Sequence, residues 1–319
     1  MAEIVVLAGG VGGGRFARAL VELVPPEQVV VIGNVGDDVE SMGMLVSPDL
    51  DSVLYQLADV FDDERGWGRW RETWNAVETA RALGEDVWFP LGDRDLGLQI
   101  ARTLALRAGE PLSAVTRRLT EGLGVRTRIL PATDDRLRTM VETPAGTFAF
   151  QEWFVRRRHE DKVDGLRFDG AAFARAAPGV VEALEQAATI VIAPSNPYIS
   201  IWPILAVGGL RATIQRQRTP VIAVSPLIGG KAVKGPLAEM MRRLTGGTTP
   251  AHVARCYPGL LDALVIDHAD AAGAAALEEV RVRPVVTHTL IGDRRSRIAL
   301  AEAVLDAARG GVMRQVPTW

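Results

Sequence analysis

Five acidic residues, Asp37, Asp38, Glu40, Asp49 and Asp51, fall within residues 34–51 (NVGDDVESMGMLVSPDLD), a stretch with no lysine, arginine or histidine. Like charges this crowded repel one another unless something positive sits among them. Hard oxygen ligands without Cys or His suit magnesium, which takes one or two carboxylates and completes its shell with water and substrate phosphate. The plain alternative is a solvated acidic loop. Position argues against it. The stretch follows the apolar run 29–32 (VVVI), which reads as a buried parallel strand, and open α/β sheets bind ligands beyond the C-terminal ends of their strands.

Three further strand ends carry groups suited to anions. Residues 4–8 read as a first strand that runs into Gly9, Gly10, Val11, Gly12, Gly13 and Gly14, followed by a helical pattern with Phe16, Leu20 and Leu23. Strand, glycine loop and helix together point backbone N–H groups at phosphate, and a Cβ there would hold the phosphate off. A tight turn with close helix–strand packing is the alternative. The loop is not a dinucleotide fingerprint, because Arg15 stands at the sixth position and Asn34 stands where an NAD ribose needs an acid. The run 189–193 ends in Pro194, Ser195, Asn196 and Pro197, a rigid loop with small polar side chains. The run 221–224 leads into SPLIGGKAVKGP, where Gly229, Gly230, Lys231 and Lys234 form a second candidate anion site without being a P-loop.

The whole chain narrows the options. A formal net charge of −3 over 319 residues gives no electrostatic case for nucleic acid or an anionic membrane. Cys256 is the only cysteine, which excludes intramolecular disulfides and thiolate clusters, and His159, His252, His268 and His288 lack metal-ligand spacing. No window approaches a membrane span, and the short apolar run at the N-terminus lacks a basic region before it. A cytoplasmic location is expected.

The elements that position these loops alternate as strands and helices, which predicts an α/β, Rossmann-like, doubly wound and mainly parallel sheet. Residues 1–50 and 125–319 form its core, and 51–124 form a mostly helical insertion over the site. Within the insertion a helix opens at Asp51, and Trp67, Trp70 and Trp74 fall three and four apart, the spacing of one helix face. Such a stripe is ordinarily core; alternatively one or two rings border a flat aromatic ligand. Asp93 and Asp95 lead a helical pattern over 96–107, as helix caps or as partners of a substrate. Later, residues 138–142 and 147–150 flank Pro144, Ala145 and Gly146 as a hairpin. Pro284 assigns the run 282–287 to a sheet edge.

With these blocks assembled, the chain resembles the 2-phospho-L-lactate transferase (CofD/FbiA) family of coenzyme F-420 biosynthesis. The resemblance rests on GGVGGGRF at 9–16, NVGDD at 34–38, SPDLDSVLY at 47–55, RGWG at 65–68, ETWN at 72–75, LGDRDL at 91–96, FQEWFVR at 150–156, APSNP at 193–197 and SPLIGGKAVKGP at 225–236. It implies a magnesium-dependent transferase of the EC 2.7.8 class. Such an enzyme moves a phosphorylated three-carbon acid unit, phospholactyl or enolpyruvyl phosphate, from a guanosine-diphosphate-linked donor to the ribityl hydroxyl of the deazaflavin Fo, with release of GMP. It also implies a homodimer. On that footing Asp37 and Asp51 are the first candidates for metal contact or base, and Asp38 and Asp49 the second. Gly10, Gly12, Gly13, Asn34, Ser195, Asn196 and the Gly229–Lys234 loop face the donor. Trp88, Asp93, Arg94 and Asp95 face the deazaflavin. The rival is a non-catalytic nucleotide-sugar-binding regulator of the gluconeogenesis-factor type, which shares the glycine-rich start and the paired acidic loop.

Overall fold

The computed structural model describes residues 3–311. Seven strands form one parallel sheet: β1 (Glu3–Ala8), β2 (Val29–Gly33), β3 (Arg128–Pro131), β4 (Ala187–Ile192), β5 (Val221–Val224), β6 (Ala263–Asp267) and β7 (Arg283–Thr287). Across the sheet they run β7-β6-β5-β4-β1-β2-β3, the strand order of a dinucleotide-binding α/β fold with one strand added at an edge. The central strands are continuous apolar runs because helices cover both faces, and Val5, Val6, Val30, Val31, Ile190, Val191 and Ile222 have no exposed surface. The strand carrying Pro284 lies at the edge, as the proline requires. Chain direction across the sheet reverses between β1 and β4, the crevice where open α/β sheets place their ligands.

Helix α1 (Gly10–Val21) packs against α2 (Pro48–Leu57), the first helix of the segment expected to lie over the site. That helix opens at Pro48, three residues before the expected start at Asp51. Ser47 precedes it as N-cap, proline takes the first turn, and Asp49 and Asp51 follow in that turn. The acidic stretch is therefore not one loop. Its middle folds as a short hairpin, Val39–Ser41 against Met44–Val46, around Met42 (φ 50°) and Gly43 (φ 73°), the paired left-handed conformation of a type I′ turn.

Beyond α2 the expected tryptophan helix is absent. Residues 62–74 are turns and extended chain, closed by a bridge between Phe61 and Arg69. Trp67 and Trp70 are each 42% exposed and so are not core. Arginines cover them instead: Arg65 lies over Trp67 and Trp74, and Arg71 over Trp70. Three helices follow, α3 (Asn75–Ala82), α4 (Asp93–Arg107) and α5 (Leu112–Gly122), with α5 packed on β3. The hairpin around residue 145 forms as expected, and Gly165–Asp169 extends it to a three-stranded antiparallel sheet. Among the described residues no helix is long and apolar enough to cross a membrane.

Candidate active site

The glycine start of α1 receives a carboxylate of the protein itself. Asp49, brought up by the first turn of α2, accepts a hydrogen bond from the Gly10 backbone. A Cβ on Gly9 would stand 2.1 Å from Asp49 Oδ2 and 2.7 Å from Ser200 Cβ, so glycine is what admits the acid to the helix N-terminus. The next glycines serve packing. A Cβ would stand 2.4 Å from the Pro194 carbonyl at Gly12, 2.8 Å from Ala8 Cβ at Gly13, and 2.9 Å from Ser52 O at Gly14. Ser195 ties two strand ends together, donating to Gly9 O at 2.8 Å and accepting from Gly9 N at 3.4 Å.

Asn34, at the end of β2, is the hub of the buried acids. Its Nδ2 donates to Asp49 Oδ2 (2.9 Å), Ile199 O (3.0 Å) and Asp37 Oδ1 (3.2 Å), while its Oδ1 accepts from Gly36 N (2.7 Å). Gln151 Nε2 completes Asp37 by donating to Oδ2 at 3.1 Å. Burial raises the Asp37 pKa well above the usual carboxylate range, and the neighbouring Asp49 and Asp38 raise it further. Burial likewise lifts Asp49 to about 6, against hydrogen bonds from Asn34 and Ser200. It lifts Asp38 to about 7, against the pull of Arg138 and Arg102. Asp38 keeps some exposed surface, yet its Oδ1 is closed off from solvent and has no hydrogen-bond partner.

Asp51 belongs to an adjoining network on the other side of α2. It forms a buried ion pair with Arg102 of α4, whose Nη1 donates to Oδ2 at 2.9 Å and whose Nη2 donates to Oδ1; the two side chains are 4% and 2% exposed. Burial opposes the charge on Arg102, but the neighbouring Asp51 carboxylate outweighs it and holds the guanidinium above its ordinary pKa. Gln99 Nε2 donates both to Asp51 Oδ2 (2.8 Å) and to Asp95 Oδ1 (3.0 Å), and Tyr55 donates its hydroxyl to Asp95 Oδ1 at 2.5 Å. Burial raises Asp95 to about 6, with Asp51 adding to the effect.

The turn expected to face a deazaflavin is engaged with its own neighbours. Asp93 caps α3, accepting from Thr73 Oγ1 (2.6 Å), Asn75 Nδ2 (2.8 Å), Ala76 N (3.1 Å) and Asn75 N (3.2 Å), and these bonds lower its pKa to about 2. Glu72 returns the favour to α4, accepting from Arg94 N and Asp95 N at 2.8 Å each. The Arg94 side chain is exposed, and Trp88 is half-buried with its ring edge-on to Phe89.

The lysine loop forms a two-residue hairpin, Leu227–Ile228 against Lys231–Ala232, turning at Gly229 (φ 57°) and Gly230 (φ 67°). The N–H groups of both glycines donate to Asp270, at 2.8 and 3.0 Å. Lys231 and Lys234 are exposed, and Lys234 reaches the tryptophan segment: a Cβ on Gly66 would lie 2.4 Å from its Nζ. Asn196 Oδ1 accepts from Tyr198 N at 3.0 Å and caps the following helical turn.

The fold therefore gathers Gly9, Gly10, Asn34, Asp37, Asp38, Asp49 and Ser195 at the switch point, sets Asp51 beside them with Asp95, and leaves Gly229, Gly230, Lys231 and Lys234 on a separate loop. Sequence reasoning missed Gln151, Arg102, Gln99, Tyr55, Glu72 and Ser200 as members. An arginine spaced three residues from a glutamine inside a helix was the one local signal for the Arg102 network. An all-oxygen donor set with an unpartnered, enclosed Asp38 Oδ1 fits a hard cation, for which Asp37 and Asp38 are the available ligands. Among the described residues no group of three or more His, Cys, Asp or Glu side chains forms a ready metal cage, so such a cation would draw further ligands from water and substrate.

Known proteins place this geometry in context. The chain is 41% identical over 312 residues to a phosphoenolpyruvate transferase of Streptomyces griseus, covering 96% of this chain and 98% of the relative. It is 42% identical to a phosphoenolpyruvate transferase of Nocardia farcinica, covering 96% and 95%. It is 34% identical to a 2-phospho-L-lactate transferase of Methanosarcina mazei, covering 95% and 100%. A crystal structure of a UPF0052-family protein from Bacillus halodurans superposes with a TM-score of 0.64 at 16% identity, over 95% of this chain and 98% of that one, a likeness of fold alone. The family model for 2-phospho-L-lactate transferase CofD matches residues 4–298, and the chain belongs to that family of transferases.

Proposed function

We propose that this chain transfers a phosphorylated three-carbon acid unit from a guanosine-diphosphate-linked donor to the ribityl hydroxyl of the deazaflavin Fo, and that enolpyruvyl phosphate is the unit moved. The observation that carries this reading is the group of acids at the sheet's switch point, the buried Asp37 and Asp49 with Asp38 beside them, whose Oδ1 is enclosed and unpartnered. A cation among them would favour their ionised forms. The choice of enolpyruvyl follows the names of relatives 41% and 42% identical, against 34% for the lactyl enzyme.

In the reaction the acceptor oxygen bonds to the phosphorus that carries the three-carbon acid. The bridging P–O bond breaks, GMP leaves with the bridging oxygen, and a phosphodiester remains. Asp37 and Asp38 would hold magnesium, which when bound neutralises charge building on the diphosphate. Asp51 takes the hydroxyl proton. Its Oδ1 keeps a lone pair beyond the bond from Arg102, and Arg102 with Gln99 fixes its direction. Asn34 and Gln151 orient Asp37. Lys231 and Lys234 supply positive charge to the departing GMP.

The purified protein incubated with Fo, magnesium and equal amounts of the phosphoenolpyruvate- and phospholactate-linked guanosine donors tests this by mass spectrometry. GMP release with a dehydro phosphodiester of the deazaflavin is expected. Neither GMP nor a new anionic deazaflavin would leave a binding protein and end the proposal.

A further inference from the structure

We infer that Glu72 is a positioning residue for Asp51, acting across the N-terminus of α4; the inference rests on the reading that Asp51 takes part in transfer. Glu72 spans the first turn of α4, one oxygen on Arg94 N and the other on Asp95 N. Its seat is built for it, since a Cβ on Gly92 would stand 2.4 Å from the Glu72 carboxyl carbon. Asp93 locks the same two segments from the opposite side, with its carboxylate on α3 and its own N–H on Thr73 O at 2.9 Å. The two acids exchange helix N-termini, so α4 cannot slide along its axis without breaking both caps.

That axial position matters because α4 presents Asp95, Gln99 and Arg102 along one buried face, at spacings of four and three residues. Gln99 and Arg102 supply the bonds that aim Asp51, and Asp95 holds Gln99 and Tyr55 in place. The path from Glu72 to Asp51 thus runs through one rigid helix and a continuous set of hydrogen bonds, with Glu72 itself partly exposed and outside the acid cluster. A carboxylate that must meet a hydroxyl within hydrogen-bond reach loses about a hundredfold in rate for a displacement of about 1 Å.

The test compares wild type with Glu72→Ala, Glu72→Gln, Asp51→Asn and the Glu72→Ala/Asp51→Asn pair, reading kcat, KM, melting temperature and hydrogen exchange. Glu72→Ala is expected to lower kcat about tenfold or more at saturating substrates. Glu72→Gln should fall between, since its one oxygen accepts from one of the two N–H groups. In the Asp51→Asn background, Glu72→Ala should cost no further kcat. Exchange should quicken in the first turns of α4 and also in the first turn of α2, which carries Asp51. Loss of melting temperature with unchanged kcat, a kcat loss that multiplies with Asp51→Asn, or quickened exchange confined to α4 would each overturn the inference. Wild-type protein without transfer activity would end the reading of function, while the exchange pattern would still decide the coupling between Glu72 and α2.

Discussion

Replacing Arg102 by methionine removes the cation paired with Asp51 while keeping most of the side-chain volume. The two side chains are 2% and 4% exposed, so water cannot solvate the carboxylate left behind. Removing one partner of a buried pair costs about 3–5 kcal/mol, whereas an exposed pair such as Arg309–Asp306, 79% and 66% exposed, is worth about 0–1 kcal/mol. One bond survives, from Gln99 Nε2 to Asp51 Oδ2, which sets the expected loss at the lower end, about 3 kcal/mol. In a chain of this size that lowers the melting temperature by roughly 4–5 °C. Urea titration should show a lower midpoint with an unchanged slope, because the surface exposed on unfolding is the same. The Asp51→Asn/Arg102→Met double variant should recover part of the loss, since no buried charge is then unpaired. A loss below about 1 kcal/mol for Arg102→Met, or no recovery in the pair, would refute the claim that this ion pair is buried and mutually dependent.

Three further outcomes follow from the same site. Asp49 at about 6, Asp38 at about 7 and the raised Asp37 bind protons more tightly folded than unfolded, so their contribution is full below the unfolded value near 4 and is lost as pH rises through the folded values. Melting temperature in EDTA should therefore fall from pH 5 to pH 8, and Asp38→Asn should flatten that slope. Asp51→Asn should cut turnover by about 10²–10⁴-fold with the far-ultraviolet circular dichroism of a folded protein; near-normal turnover would remove Asp51 from the proton transfer. Gly9→Ala places a Cβ 2.1 Å from Asp49 Oδ2 and should cost about 1–3 kcal/mol in urea titration; wild-type stability would show that Asp49 does not sit in the glycine loop.

The sheet was legible because its signal is local. The apolar runs of β1, β2, β4 and β5 are buried on both faces, and only a covered parallel sheet explains such runs between helical patterns. The hairpin at Pro144–Gly146 and the edge strand with Pro284 were legible for the same reason, since one residue type restricts the backbone at each. The tryptophans misled because spacing of three and four is also met by chance in a turn. What distinguishes Trp67 and Trp70 is the arginine beside each, which lets a large ring lie in water with a cation on its face.

The site was legible as a collection of strand ends and opaque in its pairing. Asn34, Asp37 and Asp49 could be placed beside the glycine start because each follows or precedes a recognisable element. Which acid meets which partner depends on residues far along the chain: Gln151 is 114 positions from Asp37, and Arg102 is 51 from Asp51. Two glycine-rich turns with the pattern of anion sites turned out to hold the protein's own carboxylates, Asp49 at Gly10 and Asp270 at Gly229 and Gly230. A glycine turn reveals that negative oxygen is welcome and says nothing about whose oxygen it is. The same N–H groups that would hold a phosphate hold an aspartate equally well, so a donor diphosphate at either turn must displace a carboxylate or bind beside it. Burial lifts Asp49 to about 6, against the hydrogen bonds that hold its charge, so on the proposed reading its carboxylate would yield the α1 turn to a diphosphate at lower cost than an acid of ordinary pKa.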